Sequence, residues 1–86
     1  MTPRELTRAG GAYDRRAIMA LALFEYREVG GRAWGDCQRW AWEQARKERA
    51  LRAEGRDAEL QRLHDMRAHR IAYHRARAAV THAEAA

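Results

Sequence analysis

Apolar residues recur along most of the chain at intervals of three and four positions, the spacing of a helix with one buried side. The pattern runs from Ala12 to Val29, from Cys37 to Glu54 and from Ala58 to Thr81. Residues that favour strands are few, whereas alanine, arginine, leucine and glutamate, which favour helices, fill most positions. The sequence therefore predicts an all-α fold, a small bundle of three long helices.

A short additional helix is predicted at the N-terminus. Thr2 and Glu5 form a capping box around Pro3, a residue that fits the first turn of a helix. Gly10 and Gly11 fall within the third turn and cost about 1 kcal/mol each relative to alanine. We therefore expect this helix to end or bend at the two glycines.

Glycines and acidic residues also predict the connections between the long helices. Gly30 and Gly31 are typical of a left-handed helix end, and Asp36 is placed to cap the helix that follows. Gly55 predicts the next helix end, and Asp57 the next cap.

The length of the chain allows one domain with one core, so residues 1–86 are predicted to form a single helical domain. Residues 82–86 are expected to be frayed, because chain ends without anchoring contacts seldom order. Alanine supplies 19 of the hydrophobic residues, so the predicted core is thin.

The helix from Cys37 to Glu54 carries a stripe of residues that should face the core: Cys37, Trp40, Ala41, Gln44, Ala45, Glu48 and Leu51. Glu48 on this stripe, and Glu25 on the preceding helix, are acidic residues among apolar ones. A buried carboxylate needs a partner, so each is predicted to pair with an arginine of a neighbouring helix. His64 and His74 are predicted to lie between helices.

The charge of the chain favours an anionic partner. Seventeen basic residues face twelve acidic ones, giving a net charge of +5, and all the basic residues except Lys47 are arginine. Arginine suits phosphates and carboxylates, which indicates nucleic acid, a ribonucleoprotein complex or an acidic protein surface as partner. The alternative interpretation is that the charge serves solubility.

Trp42 is the first candidate binding residue. It projects from the side of its helix opposite Cys37, and Arg39, Arg46 and Arg49 lie on the same side. An aromatic face among guanidinium groups suits the stacking of a base between phosphate contacts, or a hot spot for a protein. The alternative is that Trp42 packs beneath the last helix.

The last helix is the second candidate surface, because between Leu60 and Val80 it holds five arginines and only one acidic residue. Arg67, Arg70 and Arg77 are the residues that we expect to contact an anionic partner, unless this is simply a solvated basic face.

Catalytic and metal chemistry find no support in the sequence. The chain has no serine and no phosphate-binding glycine motif, and Cys37 lies on a predicted buried face. His64, His69 and His74 are spaced by five residues, which turns them away from one another on a helix. We therefore expect a non-enzyme without metal or cofactor. The single cysteine and the lack of a signal segment or membrane anchor indicate a cytoplasmic location.

The first third of the chain resembles small tail assembly chaperones of tailed phages and gene-transfer agents. The residues that carry the resemblance are Thr2-Pro3-Arg4-Glu5-Leu6, Gly11-Ala12-Tyr13, Arg15-Arg16 and Met19-Ala20-Leu21-Ala22. The resemblance implies a helical, non-enzymatic protein that binds the tail-tube and tape-measure proteins during assembly. Beyond Gly31 the chain departs from that pattern.

Size, charge and the lack of catalytic motifs fit a second class equally well, and this class is our first prediction. This class is an inhibitor or adaptor of phage or mobile-element type, similar to anti-CRISPR proteins, which docks on a nucleic acid or nucleoprotein complex as a monomer or homodimer. A DNA-binding regulator is a further alternative. The glycine-rich loop from Gly30 to Gly35 is longer than the turn of a helix-turn-helix, which counts against it.

Overall fold

A computed structural model describes residues 5–85, and the side chains of residues 5–82. It confirms an all-α bundle. Helix α1 spans Arg15–Phe24 and continues into a π-helical turn, Glu25–Val29. Helices α2, Trp34–Ala53, and α3, Asp57–Ala85, follow. No helix in the described part of the chain is long and apolar enough to cross a membrane.

The three helices run alternately up and down. Tyr13 and Tyr26, at opposite ends of the first helical segment, contact Trp42 and Trp34 of α2, so α1 and α2 are antiparallel. Helices α2 and α3 form an antiparallel hairpin across the short connection at Gly55. The whole measures 48 × 27 × 17 Å. A helix of 29 residues is about 43 Å long, so α3 sets the long dimension.

The core is small, as expected from the alanine content. It is built from Leu6 and from the buried sides of the three helices: Ala17, Ile18, Leu21, Ala22, Phe24, Ala41, Ala45 and Ile71. The predicted stripe on α2 is confirmed. Cys37, Ala41, Ala45 and Glu48 are buried on it, while its larger members are half-buried.

The predicted N-terminal helix is not found in residues 5–14, and Thr2 and Pro3 lie outside the described residues. Here the chain makes a tight loop in which Thr7 bridges to Tyr13, and the Asp14 amide donates to the Leu6 carbonyl. Gly11 has a φ of 87°, which excludes a continuous helix. The Leu6 and Thr7 amides bond a side chain of α2 instead of carbonyls of their own segment.

Several predicted boundaries shift. Helix α1 begins three residues later than predicted, because Asp14 caps it by accepting from the Ala17 amide. Asp36 does not cap α2; it lies within the first turn, and Ala33 occupies the cap position. The helix ends at Gly30 and Gly55 are confirmed, both with positive φ. Helix α3 extends to Ala85 and so includes residues 82–85, which were predicted to be frayed.

Candidate nucleic-acid interface

Trp42 is neither fully exposed nor part of the buried core. Its indole packs against the Tyr13 ring in an edge-to-face arrangement, with the ring centroids 5.3 Å apart and the planes at 78°. Tyr13 belongs to the loop that leads into α1, so the indole also helps to hold that loop against α2. The remaining surface of the half-buried indole faces outward. The covered part of the indole packs against the hydrophobic core.

The outward side of Trp42 lines a shallow open hollow on α2. Its other lining residues are Gly35, Gln38, Arg39 and Arg46, which recur at three- and four-residue intervals and therefore share one side of the helix. Gly35 has no side chain to fill the hollow. Arg39 and Arg46 were predicted from the sequence, whereas Gly35 and Gln38 were not, although they lie seven and four residues before Trp42 on the same side of the helix.

The arginines of this surface are largely free of internal partners. The Arg39 side chain is 77% exposed, and its guanidinium lies 3.5 Å from the exposed carboxylate of Asp36. Arg46 is exposed and forms no ion pair within the described residues. Arg49 lies further along α2, with its guanidinium 4.9 Å from the Tyr13 ring centroid, a cation–π contact. Arg39 and Arg46 therefore line the hollow together with Trp42, whereas Arg49 lines a separate hollow beside Gly10 and Gly11.

The second predicted surface is broken up. Arg67 is only 6% exposed, and its Nη1 donates to Glu48 at 2.9 Å. Arg70 makes a two-pronged contact with Glu25, at 2.6 and 3.1 Å. Arg77 is exposed and pairs with no acid within the described residues; it donates to the Tyr73 hydroxyl. The prediction that Arg67 lies on the surface is therefore wrong: it is buried, because it forms an ion pair with the buried carboxylate of Glu48.

Among the described residues, Glu48 is the buried side chain with the most hydrogen bonds. Its Oε2 accepts from the amides of Leu6 and Thr7 and from the Thr7 hydroxyl, at 2.9, 2.7 and 2.6 Å. Its Oε1 accepts from Arg67 and lies 3.1 Å from Nε2 of His64. Burial alone would raise the pKa of Glu48, but the bonds from Thr7 and Arg67 outweigh it and lower that pKa.

Glu25 is the second buried carboxylate, and the π-helical turn that it begins brings it against α3. Arg70 and Arg32 both donate to it. Burial raises its pKa, and the two guanidinium groups more than compensate, so the pKa of Glu25 is lowered. The prediction that Glu25 and Glu48 pair with arginines of a neighbouring helix is confirmed for both.

The histidines take structural positions. His64 contacts Glu48, and the His74 ring meets the edge of Phe24 at 6.2 Å, so both lie between helices as predicted. Within the described residues, no three histidine, cysteine or acidic side chains come together as a metal site would require. Cys37 is completely buried.

The buried carboxylates of Glu25 and Glu48 therefore neutralise arginines of α3, while Arg39 and Arg46 on α2 stay exposed to solvent. What remains outside is a half-buried indole between exposed guanidinium groups, an arrangement that can stack a planar group and hold a neighbouring anion. Comparisons of the chain with family models, with curated proteins and with solved structures find no match.

Proposed function

We propose that this chain is a non-enzymatic binding protein that docks on single-stranded nucleic acid, free or within a nucleoprotein complex. The observation that carries the proposal is the hollow on α2, where the Trp42 indole lies between Arg39 and Arg46. Proteins that bind single strands combine aromatic rings on which bases stack with basic side chains that contact the phosphates.

The position of the surplus charge supports this partner. Arg67 and Arg70 neutralise buried acids and offer little to a ligand. Around Trp42 the acidic side chain nearest to an arginine is Asp36, at 3.5 Å in an exposed and weak contact. A polyanion should therefore bind more tightly at the α2 hollow than along the inner side of α3.

The shape of the hollow favours an unpaired base over a double helix. Trp42 is partly sunk beside Tyr13, and the hollow is shallow and lies along one side of α2. A splayed base can reach the indole, whereas the bases of a duplex are stacked and have no free face. The antiparallel α2–α3 hairpin also differs from the crossed helices of a helix-turn-helix, which disfavours a major-groove regulator.

The test is the binding of a fluorescein-labelled oligothymidylate to the full chain, followed by anisotropy at several salt concentrations. The double variant Arg39→Ala/Arg46→Ala should bind more weakly. Its plot of log affinity against log salt should be shallower by about 1.4, since each lost phosphate contact on a single strand removes about 0.7. Trp42→Phe should remove most of the quenching of tryptophan emission on binding.

The matched control is Arg62→Ala/Arg77→Ala, which removes the same charge from the exposed side of α3. It should leave the salt dependence close to that of the unchanged chain. If both double variants weaken binding equally, the contact is a diffuse charge effect and the α2 hollow is not the site. Lack of oligonucleotide binding at roughly 50 mM salt, where phosphate contacts are strong, also rejects the proposal.

The narrower roles remain predictions. An inhibitor of the anti-CRISPR type should bind a ribonucleoprotein effector through Trp42 and its arginines and block nucleic-acid entry. A tail assembly chaperone should instead recover tail-tube or tape-measure protein in a pull-down, irrespective of Arg39 and Arg46. A gene regulator should prefer duplex DNA over a single strand of the same sequence.

A further inference from the structure

A second hollow lies further along α2, where the helix meets the N-terminal loop. Its lining residues are Ala9, Gly10, Gly11, Arg49, Arg52 and Ala53. The charged residues of this set are both arginines, and no acidic side chain is among the described residues that line the hollow. The hollow therefore offers a ligand positive charge on the helix side and bare backbone on the loop side.

The loop side of the hollow is a tight turn. The Gly11 amide donates to the Arg8 carbonyl at 2.8 Å, and Gly11 has the positive φ that such a turn requires. The amides of Ala9 and Gly10, in the middle of the turn, donate to no carbonyl of the described residues. Glycine lets a ligand approach the backbone closely, and backbone amides are strong donors to an anionic oxygen. The turn can therefore contact an anion directly.

The helix side of the hollow presents two arginines that are held in different ways. Arg52 is half-buried, and its Nε donates to the Thr7 hydroxyl at 3.1 Å and its Nη2 to Glu5 at 3.3 Å. Arg49 is exposed, and its guanidinium lies 4.9 Å from the Tyr13 ring centroid. Glu5 offsets part of the charge of Arg52, whereas no acid of the described residues pairs with Arg49. Arg49 is thus the stronger attraction for an anion here.

The two hollows lie along the same side of α2. At 100° per residue, their lining residues on this helix, apart from Arg52, fall within about 100° of its circumference. The Tyr13 ring joins the hollows, because it packs against Trp42 and also lies beneath Arg49. Arg49 follows Trp42 by seven residues, which is about 10 Å along the helix. That distance equals roughly three steps of a stacked strand, whose phosphates follow at about 3.4 Å along the axis.

We propose that the second hollow is a phosphate subsite, which binds a backbone phosphate of the same single strand whose base stacks on Trp42. The inference rests on the proposed function and extends it, because it gives the strand a path along α2 instead of one point of contact. Arg49 and the amides of the turn supply the donors. A phosphate tethered to a bound strand has a high effective concentration at the subsite. Free phosphate lacks this advantage and should bind at least tenfold more weakly.

Nuclear magnetic resonance of the isotope-labelled full chain reports on the two hollows separately. The indole N–H of Trp42 reports on the first hollow, and the amides of Ala9 and Gly10 report on the phosphate subsite. Titration with an oligothymidylate of eight nucleotides should shift both sets of signals with the same apparent Kd. Titration with inorganic phosphate should shift the Ala9 and Gly10 amides only at concentrations at least tenfold higher.

Arg49→Ala should abolish the oligonucleotide-induced shifts of Ala9 and Gly10 and preserve that of the Trp42 indole. Its plot of log affinity against log salt should be shallower by about 0.7, the effect of one phosphate contact on a single strand. Arg49→Lys keeps the charge and should recover most of the affinity. The matched control is Lys47→Ala, which removes one exposed charge from α2 on the side away from both hollows and should leave the slope unchanged.

Gly10→Asp tests the loop side without relying on the contact between Arg49 and Tyr13. The φ of Gly10 is not positive, and a Cβ at this position would meet no atom within 4 Å, so the variant should fold. Its carboxylate should repel the phosphate and weaken binding of the oligonucleotide at least threefold. Thermal unfolding verifies that each variant is folded.

The outcomes separate this proposal from the function on which it rests. Shifts at the Trp42 indole without shifts at Ala9 and Gly10 would overturn the phosphate subsite and leave the proposed function standing. No shift at either hollow, or shifts at the second hollow alone, would overturn both. Equal effects of Arg49→Ala and Lys47→Ala on the salt dependence, or free phosphate bound as tightly as the strand, would overturn the subsite alone.

Discussion

Glu48 connects three parts of the molecule, and replacing it with glutamine is the most direct test of how the fold is held. The carboxylate binds the N-terminal segment through Leu6 and Thr7, and it binds α3 through His64 and Arg67. Glutamine keeps the shape but loses the charge, and it presents a donor where an acceptor is needed. Arg67 is then left buried without its counter-charge, with Nε and Nη2 already lacking partners in the described structure.

The expected loss is large relative to the stability of so small a chain. Breaking a buried ion pair by removing one partner costs about 3–5 kcal/mol. At roughly 0.05–0.15 kcal/mol per residue, the whole domain is stable by about 4–13 kcal/mol. Each kcal/mol corresponds to about 4–8 °C for a domain of this size, so the Tm should fall by at least about 12 °C.

Urea unfolding followed by circular dichroism measures this loss. The control is Glu43→Gln, an exposed glutamate on the same helix, which should change the free energy of unfolding by less than about 0.5 kcal/mol. The double variant Glu48→Gln/Arg67→Met should be more stable than Glu48→Gln, because it keeps an acceptor for the N-terminal amides and leaves no buried charge unpaired. A loss below about 1 kcal/mol for Glu48→Gln would refute the reasoning.

Three further outcomes are expected. The free energy of unfolding should fall as the pH drops below about 4.5, the ordinary pKa of glutamate. Glu25 and Glu48 have lowered pKa values in the fold, so the unfolded chain takes up protons first. Urea unfolding at a series of acidic pH values measures this, and a free energy of unfolding that does not change with pH contradicts it. Thr7→Val removes a hydroxyl that bonds Glu48 and should cost about 1–2 kcal/mol in urea, against no change for an exposed substitution. Trp42→Ala should cost about 2 kcal/mol, less than a fully buried tryptophan, since half of the indole is covered; an unchanged Tm would place it wholly on the surface.

Local patterns in the sequence determined most of the helical architecture. The three- and four-residue periodicity predicted α1, α2 and α3. Gly30 and Gly55 marked two helix ends, because glycine adopts the positive φ of a helix end without the steric cost that other residues meet. The same periodicity placed Glu25 and Glu48 on buried sides. Because a buried carboxylate needs hydrogen-bond donors, arginine partners could be predicted for both glutamates, but not which arginines they are.

Tertiary structure decided where the arginines are used. Nothing in the spacing of Arg67, Arg70 and Arg77 distinguishes them, yet the first is buried, the second is half engaged and the third is exposed. The choice depends on which turn of α3 meets Glu48 and which meets Glu25. That register arises between helices, so a pattern within one helix does not contain it.

The N-terminal segment gives the same lesson in backbone terms. A capping motif predicts a helix on local grounds, but a helix would bond the Leu6 and Thr7 amides within the segment or leave them to water. Glu48, far away in the sequence, offers both amides a charged and buried acceptor. A charged acceptor in a water-free interior bonds more strongly than a solvated one, so the tertiary contact overrides the local preference.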